Sequence, residues 1–155
     1  MKETIEFYEE SVEKIKESLS FEYSVMDELF TFKKRKKDKY YVWTVIAYTK
    51  RGKPYYFYRL CKQRNTQELF EFQLTLPKTK RVYSNEAFSY ESIYGKRSIR
   101  GKGAMTNKIE NLHSQLRDKI SYLVRKTKAH SKSEKWLDYR LAIFFNAKNL
   151  RLYGY

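Results

Sequence analysis

Three carboxylates stand out by position. Asp27 interrupts an apolar strand pattern, Val25-Met26-Asp27-Glu28-Leu29, and a charge in such a run is costly unless it has a partner or a task. Glu86 follows a short strand-like stretch that ends near Tyr83, and Glu110 sits near the start of a helical pattern. Each of the last two has a plainer explanation. Glu86 suits a helix N-terminus, where negative charge is favoured, and Glu110 can close a capping box on Asn107. Together, acids at the ends of two strands and the start of a helix give oxygen ligands that converge from separate elements. Phosphodiester chemistry with Mg²⁺ or Mn²⁺ needs such a set, and Asn85 adds a neutral amide oxygen beside Glu86. His113 lies three residues beyond Glu110 and shares its helical face. It either assists proton transfer or is an ordinary surface histidine, which is the simpler expectation.

The basic residues point to a polyanionic partner. The chain has 155 residues and a formal charge of +15, from 33 Lys and Arg against 18 Asp and Glu. Lys96, Arg97, Arg100, Lys102, Lys108, Arg117, Lys119, Arg125, Lys126, Lys128, Lys132 and Lys135 face opposition only from Glu110, Asp118 and Glu134. A surface of this kind releases counterions on meeting phosphates and binds nucleic acid in a salt-dependent way. A solvated surface with charge networks is the alternative, but it would carry acids to match. The expected contacts are Lys96, Arg97, Arg100, Lys102, Lys108, Arg117, Arg125, Lys126, Lys128 and Lys132, with double-stranded DNA as the partner. Tyr41, Trp43, Tyr56 and Tyr58 could stack on unpaired bases, although their strand spacing favours core packing.

Several classes are set aside by composition. A lone cysteine, Cys61, gives no disulfide framework. Together with two histidines, His113 and His130, it gives no zinc cluster. No apolar run is long enough to span a bilayer. The acidic start, Met1 to Glu10, is unlike a secretion signal, so the expected location is the cytoplasm of a prokaryotic host. Abundant Lys and Glu with 5 Gly and 2 Pro resemble proteins from hot habitats.

The elements that must position these residues are legible from periodicity. Ile5, Tyr8, Val12, Ile15 and Leu19 mark an amphipathic helix over residues 1–20, which either docks on the domain or pairs with a second copy as a homodimer. Strands are expected over 21–32, 39–49 and 54–60, joined by short basic links near Asp38 and Gly52, hence an antiparallel meander. Asn65 and Glu68 form a capping-box pattern for a helix that stops at Pro77. A short strand over 81–83 and a brief helix ending at Gly95 follow, then a basic loop over 96–103. Ile109, Leu112, Leu116, Ile120 and Leu123 space one more helix, and Ser131 with Glu134 starts the last. The expected class is α+β: one domain over 1–155, with a mixed, largely antiparallel sheet flanked by helices, its catalytic-type part spanning 21–150.

The stretch from Thr106 to Ser133 resembles the C-terminal catalytic signature of transposases from the IS-one insertion-sequence family. The matching residues are Thr106, Ile109-Glu110, Asn111, Leu116-Arg117, Arg125-Lys126-Thr127 and Ser131-Lys132-Ser133, and Asp27 stands where the family has its first acid. The resemblance covers roughly Tyr23 to Leu150. It implies an RNase H-like fold, a divalent metal held by two Asp and one Glu, and DNA strand cleavage, with Asp27 as first acid and Glu110 as last. Two features depart from the family. The middle acid is replaced by Asn85, with Glu86 next to it, and the short acidic helix stands in place of an N-terminal DNA-binding region. These departures imply a repurposed descendant, either a nuclease that relies on Glu86 or a catalytically silent DNA-binding protein. In size and composition the chain also resembles a small nuclease of a filamentous archaeal virus.

Overall fold

Runs of aromatic and β-branched residues prefer a pleated surface where their side chains pack across strands, and three such runs open the sheet. In the computed structural model, which describes residues 2–32, 39–84, 90–100, 104–121 and 134–153, β1 (Phe21–Phe32) pairs antiparallel with β2 (Lys39–Thr49), and β2 with β3 (Pro54–Cys61). Gly52, at φ +84°, turns the second link, and its N–H donates to Thr49 O at 2.8 Å. The turn expected near Asp38 lies outside the described residues, but Phe32 pairs with Lys39 on either side of it. The meander is therefore present as expected.

The chain then crosses the sheet. Helix α2 (Thr66–Thr75) is capped by Asn65, whose Oδ1 accepts the Glu68 N–H at 2.9 Å. Glu68 turns its own carboxylate to Arg59 (3.3 Å) and Cys61 (3.4 Å). Strand β4 (Arg81–Ser84) returns beside β1 in the parallel sense, and after α3 (Tyr90–Tyr94) a second parallel strand, β5 (Ser98–Arg100), adds to β4. The order is β3-β2-β1-β4-β5. The sheet is mixed as expected, with its two long ladders antiparallel.

The basic loop expected over 96–103 is corrected here. Residues Gly95–Arg97 form a 3₁₀ turn entered at φ +56°, and Ser98–Arg100 form β5. Three residues without alternation carry no strand signal of their own, so the conformation is imposed by pairing with Val82, Tyr83 and Ser84.

Helices cover both faces. Val25, Leu29, Val42 and Ile46 pack under Ile109, Leu112 and Leu116 of α4 (Ala104–Ser121) and Leu141 and Phe145 of α5 (Glu134–Leu152). Met26, Trp43, Val45 and Val82 meet α2 and α3 through Leu69, Phe72, Tyr90 and Tyr94. A register shift between Phe21 and Tyr23 lets Phe21 join a third cluster with Ala47, Tyr55, Leu150 and Ile15 of α1 (Lys2–Glu17). Ile15 is thus buried, and α1 docks on its own domain, the simpler of the two expectations. The side chains of Ile5, Tyr8 and Val12 are outside the described set.

One device seals the β3 edge. Asn149 on α5 is buried. Its Oδ1 accepts the Tyr56 N–H at 2.7 Å, and its Nδ2 donates to Tyr56 O at 2.8 Å. A single amide thus takes the place of a neighbouring strand. Asn149→Leu keeps the bulk but strips both groups of their partner, so a loss of about 2–5 kcal/mol is expected. Urea unfolding measures it, and unchanged stability would mean that water replaces the amide.

Candidate functional site

Alternation along β1 places Val25, Asp27 and Leu29 on the face covered by α4, with Asp27 directly opposite Thr44 on β2. Asp27 lies mid-strand, not at a strand end as the sequence pattern implied, and its ladder with β2 runs on to Phe32. Its Oδ1 accepts the N–H of Glu28 at 2.8 Å. Its side chain is 15% exposed. Burial is the main force that pushes the carboxyl up to about 6, with the charges of Glu28 and Glu110 adding to it; the Glu28 N–H and Arg64 act in the opposite direction. The charge of Glu110 thus reaches Asp27. Glu110 itself is exposed on α4.

The capping-box explanation of Glu110 falls. Helix α4 begins at Ala104, so Asn107 and Glu110 both lie inside it and Asn107 caps nothing. The start was misplaced because Asn107 with Glu110 reproduces a cap signature by spacing alone.

His113 is a second correction. It is buried at 5% exposure rather than on the surface. Its Nε2 lies 2.6 Å from Thr44 Oγ1, and Thr44 Oγ1 donates to the carbonyl of Asp27 at 3.2 Å. Its Nδ1 faces Asp27 Oδ2 at 4.0 Å. Burial, aided by the charge of Arg117, holds the imidazole down to about 4, so it is neutral near pH 7. The signal was available in the sequence: position 113 is four beyond Ile109 and three before Leu116, on the apolar stripe of α4.

Glu28 points to the opposite face. Tyr90 Oη donates to its Oε2 at 2.6 Å, and Arg64 pairs with its Oε1. This carboxylate ties α3 and the segment before α2 to β1, and it is turned away from Asp27.

Among the described residues the β1–β4 ladder runs from Tyr23 with Arg81 to Met26 with Ser84; the expected second acid, Glu86, and Asn85 beside it lie outside the described residues. Among the described residues, no group of three His, Cys, Asp or Glu side chains is gathered closely enough to hold a metal ion.

The expected phosphate contacts divide into three groups. Lys96, Lys108 and Arg117 are exposed, with Lys108 Nζ 4.5 Å above the Tyr48 ring. Arg97 is half-buried, donates from Nη1 to Thr79 O at 2.9 Å and lies over Tyr94, so part of its role is structural. Lys102, Arg125, Lys126, Lys128 and Lys132, and the side chain of Arg100, are outside the described set. Among the aromatics, Trp43 is fully buried and Tyr56 and Tyr58 pack against the core under α4 and α5, in keeping with the core expectation. Among the described residues no helix is long and apolar enough to cross a membrane.

Compared with known proteins, the chain matches no family model and no curated protein.

Proposed function

We propose that the chain is a metal-dependent DNA nuclease, a phosphodiester hydrolase derived from a transposase-like catalytic domain with an RNase H-like sheet. The observation that carries this reading is the pairing of Asp27 with Glu110. Asp27 is a half-buried acid at the centre of the first strand, and Glu110 is an exposed acid on α4 whose charge helps to raise the Asp27 carboxyl. The strand order β3-β2-β1-β4-β5, with three antiparallel strands and then two parallel ones, supports the RNase H-like assignment.

The donor set suits a hard divalent ion. The two carboxylates come from different elements, and burial disfavours the charge of Asp27, a cost that Mg²⁺ or Mn²⁺ would relieve. Asp27 and Glu110 would hold the ion, with Glu86 as third acid and Asn85 as auxiliary, both argued from the sequence. When bound, it supplies Lewis acidity at the phosphodiester and a more acidic water. The chain's own residues do the rest. The Glu28 N–H fixes one Asp27 oxygen, and Oδ2 lies 4.0 Å from His113 Nδ1. Lys108 and Arg117, exposed on the same helix as Glu110, would hold the DNA backbone. Incubation of labelled duplex with Mg²⁺ or Mn²⁺ tests the reading, and intact DNA under every divalent metal would overturn it. That outcome favours a catalytically silent DNA-binding descendant, a second reading motivated by Asn85 in the slot where the resembling family has an acid.

An amide oxygen neutralises a divalent ion poorly, so cleavage with Asn85 in that slot needs another carboxylate, and Glu86 is the nearest along the chain. Glu86→Ala is expected to lower cleavage by at least about tenfold while leaving DNA binding intact. Full activity in this variant, assayed beside Asn85→Ala, would show that the second acid lies elsewhere.

A further inference from the structure

We propose that a cavity on the sheet face opposite Asp27 binds a small organic oxyanion, a carboxylate or phosphate monoester carried on one apolar ring. This site lies apart from the proposed nuclease centre and does not rest on it.

The hollow follows from residue size and from where α2 stops. Alternation along β1 turns Ser24 and Met26 away from the face that holds Val25 and Asp27. Ser24 pairs with Ala47 on β2 and with Val82 on β4. Ser24 and Ala47 are small, and α2 ends at Thr75, just before Pro77, so the helix does not run on to cover them. A cavity of about 220 Å³ remains there, lined also by Leu76 and Pro77 after α2 and by Tyr94 and Arg97 from α3 and the turn that follows it. A cavity of about 150 Å³ is enough for benzene, so this one admits a six-membered ring with a small head group.

The charged lining selects the head group. Arg97 Nη1 donates to Thr79 O at 2.9 Å, and its Cζ lies 5.5 Å from the centre of the Tyr94 ring. The side chain is thus held in place. A guanidinium has five N–H donors, so the contact with Thr79 leaves others for an oxyanion. Lys78 lines the same cavity and is exposed. Two cations, with no Asp or Glu among the described lining residues, favour an anion over a neutral molecule. The hydroxyls of Ser24 and Thr79, on buried residues and 3.3 Å apart, add polar contacts. Val45, Ala47 and Val82 offer apolar surface beside them. A bare ion would leave that surface in water, whereas an anion carried on a ring covers it.

The test uses the full chain at about 150 mM salt, which screens loose ion pairing on the basic surface. Benzoate and phenyl phosphate are the probes. Benzamide, which lacks the charge, and inorganic phosphate, which lacks the ring, are their controls. At least one probe is expected to bind with a Kd below about 1 mM, and its control at least about tenfold more weakly. The probe that binds more tightly identifies the head group. Backbone amide ¹H–¹⁵N shifts that move on titration are expected to cluster at Ser24, Thr79, Val82 and Arg97. Arg97→Gln is expected to weaken the probe at least about tenfold, and Lys78→Glu, at an exposed position, at least about fivefold. Arg97 also holds Thr79, so its variant can loosen the fold, but the wild-type shifts and the Lys78 variant do not depend on it. A Kd above about 1 mM for both probes, a control that binds as tightly as its probe, or shifts centred on α4 overturns the proposal. So does Lys78→Glu with wild-type affinity.

Discussion

Asp27→Asn is expected to abolish DNA cleavage, by at least about a thousandfold or about 4 kcal/mol of barrier, and at the same time to stabilise the folded protein above pH 6. The first effect follows, on the proposed function, from removing a carboxylate that would hold the metal. The second follows from linkage. A carboxyl whose pKa rises from 3.8 unfolded to about 6 folded binds its proton more tightly in the native state. The stability it contributes is fully present below pH 4 and is lost as pH rises through about 6. Two units correspond to about 3 kcal/mol at most, so a gain of about 1–3 kcal/mol is expected for Asn at pH 8 and none at pH 4. His113 runs the other way. Its pKa falls from 6.5 unfolded to about 4 folded, so its contribution is full above pH 6.5 and is lost as pH drops through about 4. In the wild type the two slopes oppose each other over nearly the same window. Asp27→Asn removes one of them, so this variant should weaken steadily on acidification from pH 6.5 to 4. Urea unfolding of both proteins across that range measures all of this. A variant no more stable than wild type at pH 8 would show that Asp27 is not a strained acid.

Much of the scaffold is legible in the sequence, for identifiable reasons. The three long strands announced themselves because aromatic and β-branched residues filled them, and Asn65, Pro77 and Gly95 marked boundaries by their own backbone chemistry. Asp27 was conspicuous because a charge inside an apolar run is costly wherever the chain folds. The features that escaped notice depend on partners distant in sequence. Strand β5 exists because β4 offers an open edge, and three residues cannot encode that. Asn149 looks like any polar residue on a helix until its amide meets Tyr56, 93 positions away. His113 fell between these cases: its spacing fitted the buried stripe of α4, but polarity argued for solvent, and only the hydroxyl of Thr44, 69 positions earlier, resolves the conflict. Trp43 Nε1, buried with no partner among the described residues, has no physical account in the fold.

DNA affinity is expected to fall by about a thousandfold between 50 and 200 mM salt, which is the loss for about six neutralised phosphates. The acids of the described residues are spent mostly away from the proposed DNA face. Glu68 and Glu71 hold Arg59, Glu22 holds Lys80, Glu28 holds Arg64 and Glu134 holds Lys62. On α4, Lys108, Arg117 and Lys119 are in no ion pair among the described residues, although Glu110 and Asp118 share the helix. Positive charge is therefore left over on the helix that also carries Glu110 and His113. Asp27→Asn is the protein for this measurement, because it should bind without cutting, and loss of one negative charge from the site should tighten binding slightly. In that background Lys108→Ala with Arg117→Ala should flatten the slope of log affinity against log salt by about two and weaken all sequences alike. Fluorescence anisotropy with a labelled duplex reads both quantities. Affinity that ignores salt would remove DNA as the partner, whereas a steep slope untouched by the double substitution would move the interface off α4.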